Sequence, residues 1–250
     1  QSVNTFNDAT TSRWHHSIGG YHAAKLQRYQ DLITHQLTPQ RAGQYDASAI
    51  NIEVVNMLNT RYVIQPTPQG QPQAILNPNA YGAAWFAQKV EIVPDANSEM
   101  QALRKVDLRT TAVVDERFAS EALRALPAQQ TDSTASISIV SYTPKEIVYK
   151  TKNRETALAV CSEIYYPEGW HATIDDKETE ILRADYVLRA VIVPGGEHTL
   201  RFTFSPRSIS TLEAVAWSAS ILLLLMALLS IVLPIVRRKR AESTPTCLQS

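Results

Sequence analysis

Two short stretches concentrate the side chains able to bind or react. The first reads Trp14-His15-His16-Ser17-Ile18-Gly19-Gly20-Tyr21-His22 and runs on to Lys25 and Arg28. Closely spaced histidines raise the question of zinc. Adjacent histidines diverge, however, no HExxH occurs and no carboxylate stands at ligand spacing, so no metal is assigned. A Gly-Gly turn opening a helix suits an anion better, because free backbone N–H groups and nearby His and Lys fit a phosphate or diphosphate. His16, Gly19, Gly20, Tyr21, His22, Lys25 and Arg28 are therefore candidate phosphate or donor-contact residues. The same pattern also describes a helix cap packed against Trp14. The second stretch is Tyr165-Tyr166-Pro167-Glu168-Gly169-Trp170-His171. Aromatic rings at a strand end beside a tight turn can stack on the apolar face of a sugar, which makes Tyr165, Tyr166 and Trp170 candidate sugar-stacking residues. The same rings can equally form the core and corner of a small β-sandwich. No GxSxG, P-loop, GxGxxG or CxxC is present. Asp175-Asp176 reads as a hairpin turn and Asp115-Glu116 as an ordinary strand end, so the catalytic residues stay unknown and no cofactor is assigned to this chain.

Periodicity indicates the elements that must position these residues. Residues 20–35 carry apolar side chains at helical spacing, with Lys25, Arg28 and Asp31 between them, and residues 47–59 place Ile50, Val54, Met57 and Leu58 on one face. A short strand at Tyr62-Val63-Ile64, a strand over 85–92, a helix near 98–106 and a strand over 111–114 complete an α/β layer. From residue 135 the period falls to two, as in Leu188/Ala190/Ile192 and Leu200/Phe202/Phe204, with turn residues about every ten positions. That describes an antiparallel β-sandwich too small for an independent core, which should lean on the α/β part. The expected class is α+β, with five regions: an external α/β region at 1–127, a linker at 128–135, an external β-sandwich at 136–210, a transmembrane helix at 212–236 and a cytoplasmic basic tail at 237–250.

The composition is globular, with 44% hydrophobic and 19% charged residues, which excludes a disordered tail protein. Lys plus Arg and Asp plus Glu number 24 each, so no basic face is left over for nucleic acid. Residues 214–236 contain no ionisable side chain. As a helix they would extend about 34 Å, enough for a hydrocarbon core of roughly 30 Å. Arg237, Arg238, Lys239 and Arg240 follow at once and act as the topology signal, which puts the C-terminus in the cytoplasm and the bulk of the chain outside. Cys161 falls in a strand and reads as a small buried apolar residue, and Cys247 falls in the tail on the other side of the bilayer. The first residue is Gln1 and no signal peptide precedes the external part, so the chain is expected to be a fragment whose missing N-terminal portion directs translocation.

The motifs HSIGGYHAAKLQRYQDLI, VVNMLNTRYVI, NPNAYGAAWF, SEIYYPEGWHATIDD and RAVIVPGGEHTLRFTFSP occur in that order before the last apolar helix. Over nearly all of residues 12–240 this resembles the C-terminal portion of the YfhO-like bacterial membrane proteins. The resemblance implies a large polytopic protein of glycosyltransferase type C architecture. Such a protein moves a sugar from a polyprenyl-phosphate donor to an acceptor at the outer face of the bacterial cytoplasmic (inner) membrane; the sugar and the acceptor stay open, with a polyprenyl-phosphate sugar and a cell-envelope glycan as candidate partners. It also implies further N-terminal membrane helices as partners, with catalytic carboxylates in the first external loop. No catalytic residue is therefore carried over to this chain, and use of a divalent metal by the parent stays open. The alternative is a non-catalytic carbohydrate-binding or cell-envelope scaffold module. An independent single-pass enzyme fits least.

Overall fold

The computed structural model describes residues 5–22, 24–41, 43–128 and 132–242, with the backbone alone at 41, 207–211, 214 and 235–242. In chain order, α1 (Gln27–Leu32) runs on into a π-helical turn, Ile33–Leu37. A two-residue ribbon of β1 (Gln40–Arg41) and β2 (Gln44–Tyr45) precedes a 3-10 turn, Ala47–Ala49, and α2 (Ile52–Met57). Next come the hairpin β3 (Tyr62–Pro66) and β4 (Pro72–Leu76), then β5 (Ala84–Ala87), β6 (Lys89–Val93), α3 (Ala96–Ala102), β7 (Thr111–Asp115) and α4 (Glu121–Arg124). The C-terminal half begins with β8 (Ser136–Tyr142), β9 (Glu146–Asn153), β10 (Ala157–Ile164) and β11 (Trp170–Ile174). It continues with β12 (Lys177–Thr179), β13 (Leu182–Ala184), β14 (Leu188–Val193), β15 (Gly196–Phe204) and the helix α5 (Arg207–Glu242). The class is α+β.

Two sheets form the sandwich. One has the order β12-β11-β15-β9-β8 and the other β13-β14-β10-β5, with every pairing antiparallel. The four-stranded sheet is buried on both faces. Ala159, Cys161, Val191 and Val193 meet Tyr149, Leu200 and Phe202 of the facing sheet. Leu158, Val160, Leu188 and Ala190 belong to a second core with Leu32, Val54, Met57 and Val113 from the helical layer. Each fully buried leucine there contributes about 1.5–3 kcal/mol of apolar transfer. One edge strand of this sheet is β5, from the N-terminal half, with Val160 opposite Trp85 and Leu158 opposite Ala87.

The helical layer is held by capping side chains. Asn51 accepts from the amides of Glu53 and Val54 at the start of α2, while its Nδ2 donates to Gln36 Oε1 at 3.0 Å and the Leu103 carbonyl at 2.8 Å. Asp95 and Ser120 cap α3 and α4 in the same way. α3 lies in sequence between β6 and β7, which pair in parallel, the connection such a pair needs.

Several elements differ from their expected extents: the helix expected over 47–59 is a 3-10 turn, Ala47–Ala49, followed by α2, and the helix expected near 98–106 is α3, Ala96–Ala102. The helix expected over 20–35 begins at Gln27, because residues on its N-terminal side are held by tertiary bonds: Gly20 N donates to the Thr5 carbonyl at 2.7 Å and Lys25 Nζ to the Phe6 carbonyl at 3.0 Å. The strand expected over 85–92 is two strands in two sheets, and Gln88, between them, donates its amide to Thr110. Asp175 and Asp176 do form the β11–β12 turn, with φ of 48° and 65°, and Cys161 is fully buried. Within α5, the 20 residues Val215–Pro234 are long and apolar enough to cross a bilayer. Linker residues 129–131 and tail residues 243–250, Cys247 included, lie outside the described residues. The described residues up to Phe204 form one compact unit, and α5 belongs to a second.

Candidate functional site

A cleft of about 220 Å³ opens at the end of the sandwich where β10 leaves its sheet. The cause is local. Register between β10 and β14 shifts between Cys161 and Ile164, a β-bulge that re-aims the strand end, and Gly169 at φ 80° then turns the chain into β11. Tyr165, Tyr166 and Trp170 all line the cleft, together with His171, Glu178 and Thr179. The three candidate sugar-stacking residues are thus brought together, beside groups able to hydrogen-bond to hydroxyls. They are not equivalent. The Trp170 ring is covered on one face by the Arg189 guanidinium at 3.9 Å and flanked by Phe204 at 5.2 Å, whereas Tyr166 is 41% exposed.

Beneath Trp170 lies a charged cluster that the sequence does not announce. Arg189 is buried, donates Nε to the Ile164 carbonyl at 3.1 Å, and has no hydrogen-bond partner for one terminal nitrogen among the described residues. Glu163 on the bulge is the opposing charge: burial pushes its carboxyl upward, and Arg189, Tyr142 and His16 oppose that shift. His16 stands edge-on to Tyr142 at 5.5 Å. One residue of the histidine stretch therefore reaches the sandwich end that carries the aromatic cleft.

A second ionic cluster is built on buried carboxylates, with Arg28 partly buried and Arg117 exposed at its edge. Glu99 and Asp115 are fully buried. Glu99 accepts from Arg28 at 2.5 Å and from the Tyr186 amide at 3.0 Å, and Arg183 stands 3.8 Å from both carboxylates. Arg117 closes on Asp115 and lowers its pKa. Asp185, also fully buried, accepts from the Val113 amide at 2.8 Å, and burial pushes its pKa up to about 8. These contacts dock the β13–β14 turn onto α3 and β7. A third group lies in an open groove of about 440 Å³, where His198 Nδ1 meets Asp175 Oδ2 at 2.6 Å near Lys150, Lys152 and Glu197. Among the described residues, no three His, Cys, Asp or Glu side chains are grouped to hold a metal ion.

Residues 105–216 match the sequence model of the family described as bacterial membrane protein YfhO. That span is YfhO-like. The matched span takes in β7, all of the sandwich except β5, and the start of α5, ending two residues into its apolar run. Of the five motifs quoted above, the last two fall inside it and the first three precede it. No curated protein and no solved structure matches the chain.

The remaining candidates are not assembled into an anion site. The amide of Gly19 donates to Ser17 Oγ at 3.1 Å and that of Gly20 to the Thr5 carbonyl, so neither N–H is free. A Cβ on Gly19 would stand 1.9 Å from the Thr5 oxygen, so close backbone approach explains this glycine. Tyr21 is exposed, and the Nδ1 of exposed His22 accepts from the Ala24 amide. Lys25 binds the Phe6 carbonyl, and Arg28 is committed to Glu99, the Tyr186 carbonyl and the Tyr186 ring at 3.8 Å. The backbone of Arg237, Arg238, Lys239 and Arg240 continues α5, and their side chains lie outside what is described. Sequence reading missed Glu163, Arg189 and His198. The only available signal was the Gly195-Gly196-Glu197-His198 turn facing Asp175-Asp176, and that needs the strand register to be read.

Proposed function

We propose that this chain is the glycan-contacting, extracytoplasmic region and terminal anchor of a YfhO-like membrane protein that works on lipid-linked sugars. The observation that carries the reading is the aromatic cleft, where Tyr165, Tyr166 and Trp170 converge beside Glu178, His171 and Thr179. Rings supply the apolar platform for a sugar's C–H face, and the polar rim supplies hydroxyl recognition. The lipid-linked donor and the inner-membrane location come from the resemblance to the glycosyltransferase type C architecture. The apolar span and the basic residues after it favour a cytoplasmic C-terminus. Sugar transfer itself is assigned to the parent's N-terminal membrane region, and this part shapes the acceptor site.

Binding of envelope glycan fragments to the full chain in lipid nanodiscs tests the reading. Tyr166→Ala should weaken binding about 3- to 10-fold, the value of one aromatic stack, with an unchanged melting temperature. Trp170→Ala should lose both binding and stability, because Arg189 loses its cover. Unchanged glycan affinity in both variants would exclude the cleft as the binding site. If binding falls while sugar transfer by the full-length parent persists, the non-catalytic module reading takes precedence.

A further inference from the structure

The β3–β4 hairpin is a separate two-stranded sheet, and among the described residues neither strand pairs with any other. Its register fixes its faces. Tyr62 stands opposite Leu76, Ile64 opposite Ala74 and Pro66 opposite Pro72, so one face is apolar from base to tip. Every residue of both strands is exposed, Tyr62 at 59% and Leu76 at 56%. Solvated hairpins of this size are marginally stable and normally cover such a face. This one is not a frayed end, since Asn77 clamps its base by donating Nδ2 to Asn56 Oδ1 and to the Thr60 carbonyl, both at 2.9 Å.

Charge identifies what covers the face. No Asp, Glu, Lys, Arg or His occurs between Arg61 and Lys89, a run longer than the one between Glu213 and Arg237 that holds the membrane span. A hairpin facing water would carry gatekeeper charges, and a docking surface for a charged protein partner would carry complementary ones. An uncharged blade bearing tyrosine, isoleucine and leucine fits the headgroup–acyl boundary of a bilayer. Full insertion is excluded because the outer strand edges keep unpaired backbone groups that need water. Pro66 and Pro72 remove two N–H donors near the tip, where the blade would be deepest. The tether is short as well: only residues 205–214 separate the end of β15 from the apolar span.

We infer that the β3–β4 hairpin is a membrane-interface blade, a second contact with lipid besides the C-terminal span. The test uses the full chain carrying Cys247→Ser, reconstituted in phosphatidylcholine–phosphatidylglycerol vesicles and labelled with an environment-sensitive nitrobenzoxadiazole dye at Ile64→Cys. The expected result is a blue-shifted emission quenched about two-fold or more by shallow doxyl-labelled lipid, while the same dye at Ser138→Cys shows neither effect. Dye at the turn residue Gln69→Cys repeats the measurement should Ile64→Cys fold poorly, and adding Leu76→Glu should reduce its quenching. Water-like emission at both hairpin positions overturns the inference. So does a blue shift without lipid quenching, the signature of a protein cover such as a second copy or further membrane helices.

Discussion

Asp185 sits in a left-handed backbone conformation, φ 49°, with its carboxyl fully buried and Oδ2 lacking a hydrogen-bond partner among the described residues. Burial raises its pKa to about 8, the Val113 amide resists the rise and the Glu99 charge adds to it. An acid whose folded pKa exceeds its unfolded value of about 3.9 holds a proton that the unfolded chain has released, so stability falls as pH rises between those values. The wild-type melting temperature should therefore decline from pH 5 to pH 8. Asp185→Asn keeps the acceptor for Val113 and suits the left-handed conformation. It should flatten that slope and stabilise the fold at pH 8 by on the order of 1–3 kcal/mol. A steeper slope in the variant, measured by differential scanning fluorimetry, would contradict a protonated Asp185.

Among the elements, the β11–β12 and β14–β15 turns are joined by one ion pair. His198 Nδ1 meets Asp175 Oδ2 at 2.6 Å, its Nε2 lies 3.3 Å from the Gly195 carbonyl, and Thr199 N donates to Asp175 Oδ1 at 2.8 Å. With acceptors at both ring nitrogens the imidazolium is favoured; the Asp175 carboxylate raises the His198 pKa and His198 in turn lowers that of Asp175. The pair's contribution is therefore whole between the ordinary carboxylate and histidine pKa values, about 3.9 and 6.5, and fades on either side. His198→Asn should lower the melting temperature most near pH 5.5 and least near pH 9. This pair shows where sequence reading stopped, since 23 residues separate its members and only the alignment of Ile174 with Leu200 brings them together. Alternation along β15 was legible because apolar and polar residues alternate there, whereas β14 is apolar on both faces, with Leu188 and Ala190 in one core and Val191 and Val193 in the other. The double burial of β10 was not legible, because Ala159 and Cys161 are small apolar residues that either face accepts. The split at Gln88 was equally hidden, as nothing local distinguishes β5 from β6. The aromatic half of the candidate site could be read because its rings are neighbours in sequence, while Arg189 reaches Trp170 from another strand of the facing sheet.

For the molecule as a whole, orientation is argued from four charges that follow the apolar span. Replacing Arg237, Arg238, Lys239 and Arg240 with glutamine removes the positive-inside signal. On the orientation proposed above, labelling of Ser138→Cys by a membrane-impermeant maleimide in intact cells should then drop from complete to partial, as a fraction of chains inverts. Complete labelling after the substitutions would show that these four residues do not set the orientation. Another whole-chain consequence follows from β5 serving as an edge strand beside β10. That strand emerges roughly 70 residues before its partner, so the growing chain must keep it unpaired for a while, with an open β-edge exposed to mispairing. Once β10 arrives the two halves are zipped, and a protease nick between Pro127 and Asp132 should yield two pieces that co-elute until denaturant separates them.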